Sequence, residues 1–282
     1  MAQRIQSFRD IAAQYDAVLC DVWGVLHNGV EAFSHASEAL AEARAAGLSV
    51  VLITNSPRPH PGVKVQIRGL GVRDDAYDRI VTSGDVTRSL IAEGPGKVYF
   101  IGAEKDLPLL DGLDVETVGL EEAGIVVCAG LRDDEVEAVE DYREELAALA
   151  ARGLPFICAN PDLVVERGHK LIACAGALAG LYEELGGTTR IAGKPHRTIY
   201  EKSLAELRAV RGAFDMARVI AIGDGMPTDV RGAQAYGLDV LYISGGIHAG
   251  HYVEGGRTDE ARLAAFLAAE DAHPKWWMPR LQ

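Results

Sequence analysis

Four short stretches of this 282-residue chain combine residue types that do chemistry together. Asp21 stands in "LCDVWGVL", Thr54 and Asn55 in "LITNS", Lys194 in "IAGKPH", and Asp224 and Asp229 in "IGDGMPTD". Once gathered, the three carboxylates repel one another unless a hard cation sits among them, and Mg²⁺ prefers carboxylate oxygens together with waters and a substrate phosphate. The cation and the Lys194 ammonium would then hold a phosphoryl group, with the Thr54 hydroxyl and the Asn55 amide donating to its oxygens. Asp21 would be left to attack phosphorus in line and form an aspartyl phosphate. Taken singly, each stretch has an ordinary reading: a strand-terminal Asp caps a helix or turn, Thr-Asn is turn chemistry, and Gly-Lys-Pro occurs in many loops. The set, in this order, points to phosphoryl transfer.

Apolar runs of strand length alternate with helical patterns along the chain, as in βαβ units of a mainly parallel sheet. Each of the four stretches falls at or just after the end of an expected strand, where open parallel sheets bind ligands. "AVLCDV" is followed by "SHASEALAEARAAG", where Ser34 is placed to cap a helix that Gly47 ends; "SVVLIT", a helix after Pro61 and the run "RIVTS" come next. A second βα assembly then reads as "KVYFIG", "GIVVCAG", a long charged helix in "DDEVEAVEDYREELAALAARG", "PFICANPD" and an Ala-rich helix in "LIACAGALAGLYEELG". The first pattern resumes with "RVIAIGDG", a helix through "DVRGAQAYG", the strand "DVLYIS" and a last amphipathic helix in "TDEARLAAFLAAEDA". Without a low-complexity linker or a fixed-period repeat, the middle piece reads as an insertion: a core of residues 1–83 and 191–282 and an inserted domain of 84–190.

The formal net charge of −13 argues against wrapping nucleic acid or docking on anionic lipid. An anionic substrate therefore needs a local device, such as a metal, a placed lysine or helix N-termini. No stretch approaches the roughly 20 apolar residues of a membrane span, and "MAQRIQSFRDIAAQYDAV" lacks the apolar core of a secretory signal, so a cytoplasmic protein is expected. Cys20, Cys128, Cys158 and Cys174 are far apart with no C-x-x-C spacing, which reads as reduced, buried cysteines. The histidines, His169 in "ERGHK" among them, show no H-x-x-x-H pairing and read as surface or cap residues. No G-x-G-x-x-G follows the first strand and no Walker-type loop is present, which sets aside dinucleotide and P-loop binding. Trp276 and Trp277, in the tail "HPKWWMPRLQ", read as packing on the chain's own core, with a subunit contact, a homodimer at its simplest, as the alternative use.

From Tyr15 to Gly246 the chain resembles the haloacid dehalogenase (HAD) superfamily of aspartate-nucleophile phosphatases: "DVWGVL", "LITNS", "GKP" and "GDGMPTD" come in that family's order. The large insertion, with "TNS", "ANPDL" and "GDGMPTD", resembles its class IIA branch of NagD-like, nitrophenylphosphatase-like and pyridoxal phosphate phosphatase-like proteins. The resemblance implies an α/β fold, a Rossmann-like doubly wound parallel-sheet core with an α/β cap domain inserted between the second and third motifs. It also implies Mg²⁺ as cofactor and hydrolysis of a small phosphorylated metabolite such as a sugar phosphate or nucleotide. Asp21 would be nucleophile and metal ligand, the Trp23 carbonyl a second ligand and Asp224 a third, with Asp229 close behind in the catalytic group. Thr54, Asn55 and Lys194 would bind the phosphoryl group, and Asn160 and Asp162 of "ANPDL" would be cap residues facing the site, although a helix-capping turn explains that pair equally well.

Where the family carries a second aspartate two residues after the first, this chain has Trp23. An indole can neither protonate a leaving oxygen nor deprotonate the water that resolves an aspartyl phosphate, and loss of a positioned acid/base removes about 10²–10⁴-fold in rate. Three functions follow: a phosphatase that is slow or takes an unusual leaving group, a phosphotransferase with a long-lived aspartyl phosphate, or a phosphometabolite-binding regulatory protein. Intact Asp21, Lys194 and Asp224 favour the enzymes, because a binder needs no nucleophile. His27 of "GVLHNG" is the candidate replacement acid, although a solvent-exposed turn histidine is the simpler expectation.

Overall fold

A computed structural model describes residues 2–167 and 170–282, so the expectation for His169 lies outside the described residues. The chain forms two compact units, one of Met1–Thr54, Lys64–Val81 and Tyr200–Gln282, the other of Asn55–Val63 and Thr82–Ile199.

The first unit is built on a seven-stranded sheet in the order Gln3–Arg4, Trp276–Met278, Asp239–Ile243, Val219–Gly223, Ala17–Cys20, Ser49–Thr54 and Arg79–Thr82. From the first of these to Ser49–Thr54 the pairings are parallel. "AVLC", "SVVLIT" and "VIAIG" are buried at every position, which is why they are apolar throughout rather than alternating: helices cover both faces of such a sheet. The helix Ser34–Ala45 links the second strand in sequence to Ser49–Thr54. Its N-cap is Phe33, and Ser34 is its first helical residue. The Phe33 N–H is tied to the Leu26 carbonyl at 2.7 Å, which fixes the turn into the helix one residue earlier than the Ser34 signal. Gly47 closes it at φ +99°, as expected of a left-handed terminator. The tail tryptophans are 8% and 4% exposed within a sheet strand, and Trp276 Nε1 donates to the Tyr15 hydroxyl at 2.8 Å. They pack on their own chain.

The second unit carries a five-stranded parallel sheet, Thr188–Ile191, Pro155–Cys158, Ile125–Cys128, Lys97–Ile101 and Glu116–Thr117 in that order. The helices Arg143–Ala151 and Ala175–Glu184 bury Leu146, Leu149, Leu178 and Tyr182 with Phe156 and Val126 of the sheet. Two elements differ from expectation. The charged helix starts only at Arg143, after a 3₁₀ turn Val139–Tyr142. Its acidic front folds onto its own backbone instead, with Glu137 accepting the Asp133 N–H and Asp141 the Ala138 N–H, the competition by which short polar side chains undo helices. Likewise "LIACAGALAG" is half strand: Lys170–Ala173 pairs antiparallel with Val164–Arg167, setting Ile172 opposite Val165, a β-branched pair that suits a sheet. All four cysteines are buried and none is in a disulfide. Among the described residues, no helix is long and apolar enough to cross a membrane.

Candidate active site

Three neighbouring strands of the first unit deliver three of the expected residues at their C-terminal ends. Cys20 is level with Ile222 on one side and Leu52 on the other. Asp21 therefore follows directly, with its N–H on the Ile222 carbonyl at 2.8 Å; Asp224 follows Gly223, and Thr54 ends its own strand. Asp229 arrives by a different route, on the π-turn Met226–Val230, a wide turn of a kind that recurs at functional sites. Its N–H donates to the Gly225 carbonyl and its Oδ2 accepts the Gly225 N–H, both at 2.9 Å.

Asp21, Asp224 and Asp229 each place a carboxylate oxygen within 4.8 Å of the others, and all three are buried, at 5%, 5% and 4% exposure. Like charges this close and this dry call for a compensating cation. An all-oxygen donor set suits a hard divalent ion such as Mg²⁺ and not a soft one. The backbone is cut to fit: a Cβ on Gly246 would lie 1.9 Å from Asp224 Oδ2, and one on Gly24, at φ +83°, 2.2 Å from the same oxygen. The Ile247 N–H then donates to Asp224 Oδ2 at 2.8 Å.

Trp23, half-buried, lies edge-on to His27 with ring centroids 4.9 Å apart, and its indole rests on Gly29, where a Cβ would come 2.6 Å from Cζ2. His27 is 1% exposed, not a solvent-facing turn residue. Its Nδ1 accepts the Gly29 N–H at 2.9 Å, and burial lowers its pKa to about 4. The imidazole is a neutral packing partner of the indole, which overturns the expectation of an exposed histidine.

Asn55, Asn160, Asp162 and Lys194 belong to the second unit, where one chain of hydrogen bonds joins them. The Asn55 carboxamide accepts the Lys194 N–H at 2.7 Å and donates to Asp162 Oδ1 at 2.8 Å and to the Lys194 carbonyl at 3.3 Å. The Asp162 N–H in turn donates to Asn160 Oδ1 at 3.0 Å, a local turn of the kind that explains "ANPDL" without a ligand. Lys194 is 2% exposed. The carboxamide of Asn55 is thus engaged with the Lys194 segment. Sequence reasoning missed this clamp and missed Gly24 and Gly246. Their only sequence signal is a glycine directly after "DVW" and another in "SGGIH".

The sequence profile of the haloacid dehalogenase-like hydrolases matches residues 18–116, and a second, HAD-hydrolase-like profile matches residues 191–270. Among solved structures, a hydrolase of the haloacid dehalogenase-like family from Brucella suis 1330 is 55% identical, with a TM-score of 0.89 over 99% of this chain and 100% of that one. An acid sugar phosphatase from Staphylococcus aureus (strain MW2) is 27% identical over 244 residues, 83% of this chain and 88% of its own. A glycerol phosphate phosphatase from Mycobacterium tuberculosis, solved in complex with magnesium, is 26% identical, with a TM-score of 0.66 over 88% of this chain and 74% of that one. A parallel-sheet α/β core with a carboxylate cluster at its strand ends defines the class. The chain belongs to the haloacid dehalogenase-like hydrolases, in their class IIA branch.

Proposed function

We propose that the protein is a Mg²⁺-dependent phosphatase that uses Asp21 as nucleophile on a small phosphorylated metabolite. The buried cluster of Asp21, Asp224 and Asp229 carries this reading, because three carboxylate oxygens within 4.8 Å of one another form an all-oxygen donor set of the kind a hard divalent cation takes. When bound, Mg²⁺ would neutralise the cluster and draw charge from the phosphoryl oxygens, held by Asp21, Asp224 and the Trp23 carbonyl. An Asp21 oxygen attacks phosphorus, the bond from phosphorus to the leaving oxygen breaks, and that oxygen departs with its electron pair. Water then attacks phosphorus, the bond to Asp21 breaks, and inorganic phosphate leaves with the water's proton released to solvent. Thr54 and the Asn55 N–H donate to the phosphoryl oxygens and Lys194 balances their charge, the roles that the family's motifs assign to them.

The relatives named for sugar and glycerol phosphates support a small phosphate monoester as substrate, and the magnesium complex of the latter supports the choice of ion. The charge of −13 suits a metabolite better than nucleic acid, and four buried cysteines with no disulfide among them suit the cytoplasm. Phosphate release from a panel of phosphorylated metabolites, with and without Mg²⁺, tests the proposal. Release confined to the Mg²⁺ arm is expected; release of equal rate in a chelator overturns it.

Trp23 favours a second reading in which the aspartyl phosphate is long-lived. No carboxylate stands two residues after Asp21, and His27 Nδ1 accepts a backbone N–H and so holds no proton to give there. Such an intermediate would pass its phosphoryl group to water slowly, or to another acceptor.

A further inference from the structure

The loop 244–252 leaves the strand Asp239–Ile243 and is pinned at both ends. Ser244 and Gly245 donate to the Met278 and Pro279 carbonyls, each at 2.9 Å, and the Ser244 and Thr258 hydroxyls lie 3.1 Å apart. At the far end the Tyr252 and Tyr242 hydroxyls meet at 2.6 Å, both side chains fully buried. Of two consecutive residues between these anchors, one bonds a carboxylate of the cluster and the other the turn that carries Asp229. The Ile247 N–H donates to Asp224 Oδ2 at 2.8 Å, and His248 Nε2 accepts the Met226 N–H at 3.1 Å. Met226 opens the π-turn that delivers Asp229 and is itself fully buried, so its N–H has no water to turn to if that acceptor is removed.

We propose that His248 is a positioning residue of the carboxylate site: it fixes the turn between Asp224 and Asp229 through the Met226 main chain and thereby sets the affinity for Mg²⁺. This rests on the magnesium reading above. The imidazole is itself held by ring contacts, 5.4 Å to Phe266 and 6.3 Å to His251 between centroids. Burial first, and then His251, keeps it below the ordinary histidine range, and the Met226 N–H that Nε2 accepts places the lone pair there. Groups that orient ligands without touching the metal change affinity by about 10–100-fold when removed.

The test is Mg²⁺ titration by calorimetry on the full chain and on two variants. His248→Phe keeps the packing on Phe266 and removes the acceptor, whereas His248→Gln places a carbonyl oxygen where Nε2 stands. We expect His248→Phe to bind Mg²⁺ about tenfold more weakly and His248→Gln to recover most of that loss. Unchanged affinity in His248→Phe overturns the inference. Equal weakening in both variants also overturns it, since the acceptor would then be immaterial. A parent chain that takes up no Mg²⁺ overturns the magnesium reading and this inference with it, a result visible before any variant is made.

Discussion

Asp224 is held on three sides, by the Ile247 N–H and by the bare backbones of Gly24 and Gly246. Asp224→Asn keeps an oxygen for Ile247 but removes one of three crowded negative charges. Without metal the variant is expected to melt at a higher temperature than the parent, and the rise that Mg²⁺ gives the parent by mass action is expected to vanish; thermal unfolding with and without Mg²⁺ measures both. Gly246→Ala drives a methyl group into the Asp224 carboxylate, and at least about a tenfold loss of Mg²⁺ affinity by calorimetry is expected. Trp23 makes a kinetic prediction. Without an acid on the leaving side, the rate depends on how well the leaving oxygen carries charge, so aryl and acyl phosphates should be cleaved much faster than alkyl ones. Trp23→Asp is expected to flatten that dependence across a series of phosphates of graded leaving-group pKa, with His27 and Gly29 losing the indole they pack on.

At the scale of elements, the hairpin Val164–Arg167 and Lys170–Ala173 is tied down by Asp134, which takes Arg167 in a two-pronged ion pair at 3.0 and 2.8 Å and Lys105 at 3.1 Å. The bond to Arg167, first among the causes, lowers the Asp134 pKa to about 2. A carboxylate whose folded pKa lies below its unfolded one stabilises the fold above the unfolded value, near 4, and loses that contribution as pH falls toward 2. Arg167 and Lys105 are partly exposed, so solvent screening reduces the worth of the network to about 1–2 kcal/mol. Asp134→Asn is expected to lower stability to urea by about that amount at neutral pH, with the gap from the parent closing between about pH 4 and pH 2. This hairpin is also where sequence reading failed most clearly. Leu171 to Ala173 adjoin an Ala-rich helix and were expected to belong to it, whereas the pairing of Ile172 with Val165 is a contact that no local pattern displays. The fully buried strands were legible because burial on both faces leaves a continuous apolar run.

For the whole molecule, the order of motifs along the chain was enough to place Asp21, Thr54 and Asp224 at strand ends, because a parallel sheet delivers its C-terminal edge wherever its strands run. It was not enough to show Asn55 clamping the Lys194 segment, His27 buried under Trp23, or His248 reaching Met226. Each of those depends on a partner distant in sequence or on a burial that residue type alone does not report. What remains central is whether Asp21 still makes a covalent bond to phosphorus with Trp23 beside it. The most direct measurement is mass spectrometry of the full chain, quenched in acid after rapid mixing with Mg²⁺ and an aryl phosphate. One phosphoryl group is expected on the peptide that contains Asp21, in an amount that accumulates because no carboxylate activates the resolving water, and it should be absent from Asp21→Asn. Turnover of the aryl phosphate with no phosphoryl group on Asp21, or with the group on another residue, would contradict the assignment of Asp21 as the nucleophile.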